Sequence, residues 1–118
     1  MAGERIEVMV AETGAEKFKG LSGREDMGEF DGMIFPYSKP SKYGVVMRGM
    51  LMPLDVVWFS NGEVVDIAPN LPPAEPGTSE SQLRVYRPRV EADAFLELPA
   101  GWTEQYNLKI GDKLEVVE

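Results

Sequence analysis

The sequence predicts a mainly β fold, a single compact β-sandwich or partly open barrel that carries one or two short helices. Several short segments alternate apolar and polar residues with the period of two that a half-buried strand requires. Glycine, proline and asparagine interrupt the chain at regular intervals, as they do in turns between strands. The 118 residues contain no heptads or internal repeats, and they suffice for one domain, which we assign to residues 1–118.

The N-terminal part of the chain predicts one strand and one helix. Residues 6–10 alternate Ile, Glu, Val, Met and Val, which indicates a strand with one buried face. Thr13 and Glu16 then have the spacing of a capping box, in which hydroxyl and carboxylate each accept a bond from a free backbone amide. A short helix is therefore predicted over residues 15–21.

Two buried strands are predicted next, at residues 32–35 and 43–47. Both are short apolar runs between turn residues. Pro36 is expected to end the first of them, because proline cannot donate a hydrogen bond to a neighbouring strand.

A hairpin is the clearest local feature of the middle of the chain. Asn61-Gly62 separates the β-rich runs 56–59 and 63–67, and this dipeptide favours a two-residue hairpin turn. Residues 68–81, which contain four prolines, are predicted to be a loop.

The C-terminal part predicts three more strands and a helical turn. The strands are expected at residues 83–86, 94–98 and 113–117, each a short run of β-forming residues. The helical turn is expected at residues 102–107, and Gly111-Asp112 precedes the last strand.

Composition excludes several classes of function. Twelve Lys and Arg against twenty Asp and Glu give a net charge of −8, which repels nucleic acid and anionic membranes. No apolar run approaches the ~20 residues of a membrane helix, so no integral membrane span is expected. Cysteine and histidine are both absent, which excludes disulfides, zinc–thiolate sites and the serine–histidine triad. We expect no cofactor.

Seven short landmarks occur along the chain in a fixed order. They are Gly20-Leu21 with Arg24, Gly32-Met33 with Phe35, Met47-Arg48, Pro53-Leu54-Asp55 with Phe59, Tyr86 with Pro88, Leu96-Glu97-Leu98 with Ala100-Gly101, and Gly111-Asp112. With these landmarks, over about residues 6–113, the chain resembles domain-of-unknown-function family 192, an uncharacterised bacterial and archaeal family whose members often carry export signals. The resemblance implies a compact β-rich fold and an extracytoplasmic setting, and it implies no established activity.

The chain departs from the family pattern at two places. Family members usually have a tryptophan before the methionine and Lys-Asn-Thr after it, whereas this chain has Val46 before Met47 and Arg48-Gly49-Met50 after it. Many members also have a cysteine in the proline-rich loop, where this chain has Pro73-Ala74. The resemblance therefore implies no function here that depends on those side chains.

Four charged residues are candidates for a polar site. Asp55 begins an apolar run, Glu97 lies between leucines, and Arg24 and Arg48 lie in segments expected to approach them. One interpretation is a small cleft in which the arginines bind an anion while Asp55 or Glu97 transfers a proton. The other is a set of ion pairs that fixes turns, since structural ion pairs imitate active sites.

Three methionines are candidates for a soft-metal site. Met47, Met50 and Met52 fall within six positions, and thioethers are ligands that select Cu(I). The alternative is that they fill irregular gaps in a core or line a protein-binding surface. In a strand Met50 and Met52 would share one face while Met47 pointed to the other, which favours packing.

These observations favour a non-catalytic binding or accessory domain. Its recognition surface is expected on the proline-rich loop and residues 47–52, and its partner is expected to be a protein or a small anionic ligand. The alternatives are a small enzyme that uses Asp55 and Glu97 with Arg24 or Arg48, and a Cu(I)-binding protein. The location is expected to be periplasmic or extracellular if a leader was removed, and cytoplasmic otherwise.

Overall fold

A computed structural model describes residues 5–117, which form one curved sheet with short helices. The strands are β1 (Arg5–Val10), β2 (Gly32–Ser41), β3 (Leu54–Ser60), β4 (Glu63–Leu71), β5 (Ala92–Pro99) and β6 (Glu115–Val117). The α-helices are α1 (Gly14–Lys19) and α2 (Trp102–Gln105), and Glu80–Gln82 forms a single 3-10 turn. The predicted mainly β class with short helices is confirmed.

The sheet has the strand order β4-β3-β5-β2-β1-β6. Strand β1 is parallel to both β2 and β6, whereas the pairs β2–β5, β5–β3 and β3–β4 are antiparallel. The start of β4 also contacts the segment before β6, because Val64 N donates to the Asp112 carbonyl at 2.8 Å. This contact and a bridge between Glu63 and Lys113 curl the sheet into a half-barrel.

Apolar side chains cover both faces of the sheet. We call the two sets the first and second core layers. Adjacent residues on β3 and β5 alternate between them: Val56 and Phe95 lie in the first layer, and Val57 and Leu96 in the second. The first layer also contains Leu21, Phe35, Met47, Met50 and Trp58, and the second contains Ile6, Val8, Phe59, Leu98 and Trp102.

Local sequence signals correctly predicted α1 and the hairpin. Thr13 Oγ1 accepts a bond from Glu16 N at 3.0 Å, and Glu16 Oε1 accepts one from Thr13 N at 2.9 Å. The helix ends earlier than predicted, at Lys19. In the hairpin, Asn61 and Gly62 have φ values of 50° and 80°, the positive values that a tight turn between twisted strands requires.

The prediction that Pro36 ends its strand is wrong. Strand β2 continues to Ser41, and its register with β5 shifts between Pro36 and Ser41. Pro36 itself stays in register with Ala94, and β1 pairs with β2 only as far as Ile34. Beyond Ile34 the β1 side of β2 has no partner strand among the described residues, so a residue without an N–H group is tolerated there.

Residues 43–47 and 83–86 are not strands of the sheet, contrary to prediction. They form one isolated bridge, in which Val45 and Tyr86 exchange two backbone bonds of 2.8 Å. The predicted loop at 68–81 is shorter than expected, because β4 continues to Leu71. The remaining predicted strands are confirmed as β1, β5 and β6, and the helical turn as α2.

Candidate functional site

A cavity of about 200 Å³ lies on the first-layer side of the sheet. We call it the Glu97 cavity. It is enclosed by strands β2 and β5, by α1 with the turn that follows it, and by residues 44–50. Its buried or half-buried lining includes Phe35, Tyr37, Val45, Met50, Phe95 and Glu97, and its more exposed lining includes Lys17, Phe18, Lys19 and Arg48.

The β-sheet register brings the aromatic side chains and the carboxyl group together. Phe35 and Tyr37 alternate along β2, and Phe95 and Glu97 alternate along β5, so all four belong to one face. Phe35 pairs directly with Phe95, and their rings stack with centroids 4.5 Å apart. The Tyr37 ring lies 6.1 Å from the Phe95 ring. The cavity therefore has an aromatic wall beside one acidic group.

Glu97 has the most unusual environment of the three buried carboxylates in the described residues. Its exposed fraction is 6%, and its carboxyl makes no hydrogen bond or ion pair with any residue in the described part of the chain. Its Oε1 lies close to Gly20, the residue that ends α1. Burial raises the pKa of Glu97 to about 8, because the ionised form has lost its water. The carboxyl group is therefore largely protonated at neutral pH.

The other two buried carboxylates are fully partnered. Asp55 accepts bonds from the backbone amides of Asn70, Gly101 and Thr103, at 2.9, 3.2 and 2.9 Å, and from the Thr103 hydroxyl at 2.7 Å. These bonds join β3 to the end of β4 and to the start of α2. Asp55 therefore has a structural environment, even though a separate cavity of about 330 Å³ lies beside it.

Asp66 is the third buried carboxylate, and sequence reasoning did not identify it. It accepts bonds from the Arg89 backbone amide at 2.7 Å and from Arg89 Nη2 at 2.8 Å. Burial raises the pKa of Asp66, but the bonds from Arg89 and from the Ile67 amide outweigh that effect and leave the pKa below its usual value. This pair attaches the segment before β5 to the edge of β4. Glu97 is thus the one unpartnered carboxylate among the buried residues of 5–117.

Two of the three cations that line the cavity, Lys17 and Arg48, already have partners. Lys17 Nζ donates to the Pro36 carbonyl at 2.5 Å and lies 3.8 Å from the centre of the Tyr37 ring. Arg48 binds Glu80 through Nε at 2.7 Å and Nη2 at 2.8 Å, and its Nη1 donates to the Phe18 carbonyl. The side-chain bond to Glu80 raises the pKa of Arg48. Neither cation forms an ion pair with Glu97.

The structure brings together two of the four predicted site residues. Arg48 and Glu97 both line the Glu97 cavity. Asp55 belongs to the opposite face of the sheet, because it alternates with the first-layer residues Leu54 and Val56 on β3. Arg24 lies exposed in the turn after α1 and forms no side-chain hydrogen bond or ion pair with residues 5–117. No single cleft contains all four residues.

Sequence reasoning missed the aromatic wall of this cavity. The prediction that Pro36 ends the strand at residues 32–35 leaves Tyr37 outside that strand. The alternation of Met33, Phe35 and Tyr37 was the available signal, since it continues past the proline with the same period of two.

The three candidate copper ligands belong to the first core layer. Met47 and Met50 are 2% and 7% exposed, and Met52 packs against the same layer. This placement agrees with the packing interpretation. No cluster of three or more Asp, Glu, His or Cys suited to a metal ion occurs in residues 5–117.

The proline-rich loop borders two further cavities, of about 180 and 300 Å³. Ala74, Glu75, Thr78 and Leu83 line both of them, and Met47 and Arg48 each line one. Within the described residues, no helix has the length and apolar character needed to cross a membrane.

Comparison with known proteins places the chain in a family. The profile of the DUF192 family, described as uncharacterized ACR, matches residues 1–116. No curated protein sequence matches the chain. Among solved structures, a protein of unknown function from Novosphingobium aromaticivorans DSM 12444 is 30% identical with a TM-score of 0.77, over 90% of this chain and 71% of that one. A putative transcription regulator from Sinorhizobium meliloti 1021 is 23% identical with a TM-score of 0.78, over 90% and 78% of the two chains, and shares the fold. Because the profile spans nearly the whole sequence, the chain belongs to the DUF192 family.

Proposed function

We propose that this domain is a non-catalytic binding module that takes a small molecule into the Glu97 cavity. One observation carries the proposal: Glu97 is only 6% exposed, its carboxyl group has no hydrogen-bond partner among residues 5–117, and it lines a cavity of about 200 Å³. No fully buried side-chain oxygen of the described residues lacks a partner, so the unbonded Glu97 carboxyl is reached by solvent from the cavity. A ligand in the cavity would replace that solvent and supply the hydrogen-bond or charge partner that residues 5–117 do not.

The shape and lining of the cavity also support ligand binding. Binding sites for small molecules are concave, are lined mostly by apolar and aromatic side chains, and contain a few placed polar groups. The Glu97 cavity has this composition, with Phe35, Tyr37 and Phe95 beside one carboxyl group. The cavities at the proline-rich loop lack a buried unpartnered group, so we assign recognition of the ligand to the Glu97 cavity.

The enzymatic alternative has less support from the geometry. Acid–base chemistry with two carboxylates needs both groups on one substrate, and Asp55 and Glu97 belong to opposite faces of the sheet. Asp55 also has its oxygens occupied by four hydrogen bonds. A binding role requires Glu97 alone.

We also propose that the protein works outside the cytoplasm, in the periplasm or beyond the cell. The support is the frequency of export signals among members of the family to which the chain belongs. Fractionation of source cells with an antibody to the domain tests this proposal, since the proposal fails if the protein is recovered with cytoplasmic markers.

A ligand screen followed by two-dimensional NMR tests the binding proposal. A panel of small amines, carboxylates, amides and sugars is first tested for thermal stabilisation, since a ligand at a hundred times its dissociation constant adds roughly 2.7 kcal/mol. We expect at least one class to stabilise the domain and to shift the resonances of Phe35, Val45 and Phe95. The matched variants are Glu97→Gln, which should lose the effect, and Glu104→Gln on the exposed surface of α2, which should keep it. The proposal fails if stabilising ligands shift only residues outside the cavity.

A further inference from the structure

We propose that the Glu97 cavity binds a small organic cation, whose ammonium group pairs with the Glu97 carboxylate against the aromatic wall. The inference rests on the proposed function and specifies the chemical class of the ligand. It follows from the charges around the cavity, from the faces of its aromatic rings and from the charge of the whole domain.

The buried acid has no cation of its own. Lys17, Lys19 and Arg48 line the cavity together with Tyr37, whose ring stacks on Tyr43. Burial raises the pKa of Glu97, and none of the three cations forms a salt bridge with it. Lys17 and Arg48 are instead held by the Pro36 carbonyl and by Glu80. A cationic ligand would supply the positive charge beside Glu97 that no salt bridge within residues 5–117 supplies.

The aromatic wall suits a cation as well. The faces of aromatic rings carry partial negative charge and attract ammonium groups within about 6 Å. Lys17 makes a cation–π contact of this kind, because its ammonium group lies 3.8 Å from the centre of the Tyr37 ring. The Tyr37 ring is thus occupied, since the Tyr43 ring also stacks on it with centroids 3.6 Å apart. A ligand beside Glu97 would instead contact Phe35 and Phe95, which line the same cavity.

Charge and size restrict the ligand further. The net charge of −8 attracts cations and repels anions at long range. The net charge of the domain therefore favours a cationic ligand over the small anion that was expected from Arg24 and Arg48. A cavity of about 200 Å³ admits one small amine rather than a peptide or a polyamine chain.

Ionisation of Glu97 gives the binding event a measurable signature. The free carboxyl is protonated at pH 7, since its pKa is about 8, and pairing with an ammonium group favours the ionised form. Each bound cation should therefore displace close to one proton from Glu97 into the buffer. A neutral or anionic ligand would leave that proton in place.

Three matched probes test the inference: benzylamine, benzyl alcohol and benzoate, each titrated into the intact domain at pH 7. Calorimetry in two buffers of different ionisation enthalpy measures proton release, and NMR locates the binding site. We expect benzylamine to bind at the Glu97 cavity with release of close to one proton. The affinity should fall tenfold or more in Glu97→Gln, which keeps the shape and removes the charge. Glu104→Gln should bind as the wild type does.

The alternative outcomes separate this inference from the proposed function. Binding of benzyl alcohol or benzoate at the cavity, with benzylamine weaker than either, overturns the cation assignment and leaves a small-molecule cavity. Benzylamine binding without proton release, or with equal affinity for Glu97→Gln, also overturns it. If none of the three probes shifts a cavity resonance, the cation inference fails, and the panel screen then decides the proposed function separately.

Discussion

Two acidic residues on adjacent strands differ in whether neighbouring groups donate hydrogen bonds to them. Asp55 and Glu97 are both buried, on β3 and β5, and both were predicted from the sequence as members of one polar site. Asp55 accepts four hydrogen bonds, whereas Glu97 accepts none from residues 5–117. The bonds to Asp55 stabilise the fold, and the unbonded carboxyl of Glu97 is the basis of the binding proposal.

We predict that Asp55→Asn destabilises the domain by about 2–4 kcal/mol. Asparagine has the same shape, but its amide N–H₂ would face amide donors that now bond to a carboxylate oxygen. Urea unfolding measures the change. The control is Glu25→Gln, at an exposed position with no side-chain hydrogen bond to the described residues, and its loss should be under about 0.5 kcal/mol. The structural role of Asp55 is contradicted if the variant keeps wild-type stability and loses ligand binding.

Glu97 should make the stability of the ligand-free domain fall as pH rises. Its pKa is raised from 4.5 to about 8 on folding, so only the unfolded state ionises between these values. Stability from the neutral carboxyl is complete below pH 4.5, declines as pH rises from there to about 8, and then levels. Between pH 5 and pH 8 the decline is on the order of 3 kcal/mol.

Urea midpoints at pH 5 and pH 8 measure this decline in wild type and in Glu97→Gln. The glutamine variant cannot ionise, so its midpoint should change far less over the same interval and should exceed that of wild type at pH 8. Glu29→Gln, an exposed acid, should keep the wild-type slope. Parallel pH profiles for wild type and Glu97→Gln would show that Glu97 is ionised at neutral pH.

The sequence could identify single residues with unusual chemistry but not their neighbours. Glu97 stands out because it interrupts an apolar strand, and Arg48 because it belongs to a family landmark. Their common cavity depends on how residues 44–50 and α1 fold over the sheet, which is a tertiary property. Asp55 and Glu97 lie on opposite faces of the sheet because the register of β3 with β5 pairs Asp55 with Leu98, which belongs to the second core layer.

Elements with local signals were predicted well, and those held by distant contacts were not. The capping box of α1 and the Asn61-Gly62 turn each involve a few adjacent residues, so the sequence contains the whole signal. Residues 43–47 have the composition of a strand, yet among the described residues they pair only through Val45 with Tyr86 and join no strand of the sheet. Composition predicts the tendency to form a strand, whereas the available partners decide whether it forms.

Gly32→Ala tests the close approach of β2 to β5. A Cβ atom at Gly32 would lie 2.3 Å from the Glu97 carbonyl oxygen and 2.9 Å from Leu98 Cδ2, so the two strands would have to separate. We expect a loss of about 2–3 kcal/mol in urea unfolding. Gly14→Ala is the matched control, because no residue from elsewhere in the fold lies within 4 Å of its Cβ position. Alanine in α1 should leave stability unchanged or raise it by up to about 1 kcal/mol. Equal stability of the two variants would contradict the observed packing of β2 on β5.

The strand order of the whole sheet illustrates what a sequence pattern leaves open. Strand β1 lies between β2 and β6, which are distant from each other along the chain, and it is parallel to both. A period of two identifies strands but says nothing about which strands are neighbours. The half-barrel thus depends on non-local pairing, including the contact of Val64 with Asp112.

The two core layers should unfold as one unit, because strands β3 and β5 contribute side chains to both. Val56 and Val57 are adjacent, fully buried and chemically identical, and they belong to different layers. We expect Val56→Ala and Val57→Ala each to cost about 2 kcal/mol with an unchanged urea m-value.

Each layer also contains one of the two tryptophans, which makes the cooperativity directly measurable. Trp58 lies in the first layer and Trp102 in the second. In Trp102→Phe the fluorescence reports only the first layer, and in Trp58→Phe only the second. For each variant we expect the fluorescence transition to coincide with the loss of circular dichroism, since a single cooperative unit has one transition whichever probe is used. A fluorescence midpoint that precedes the circular dichroism midpoint would mean that this layer unfolds on its own, and the shared strands would then not couple the two halves of the core.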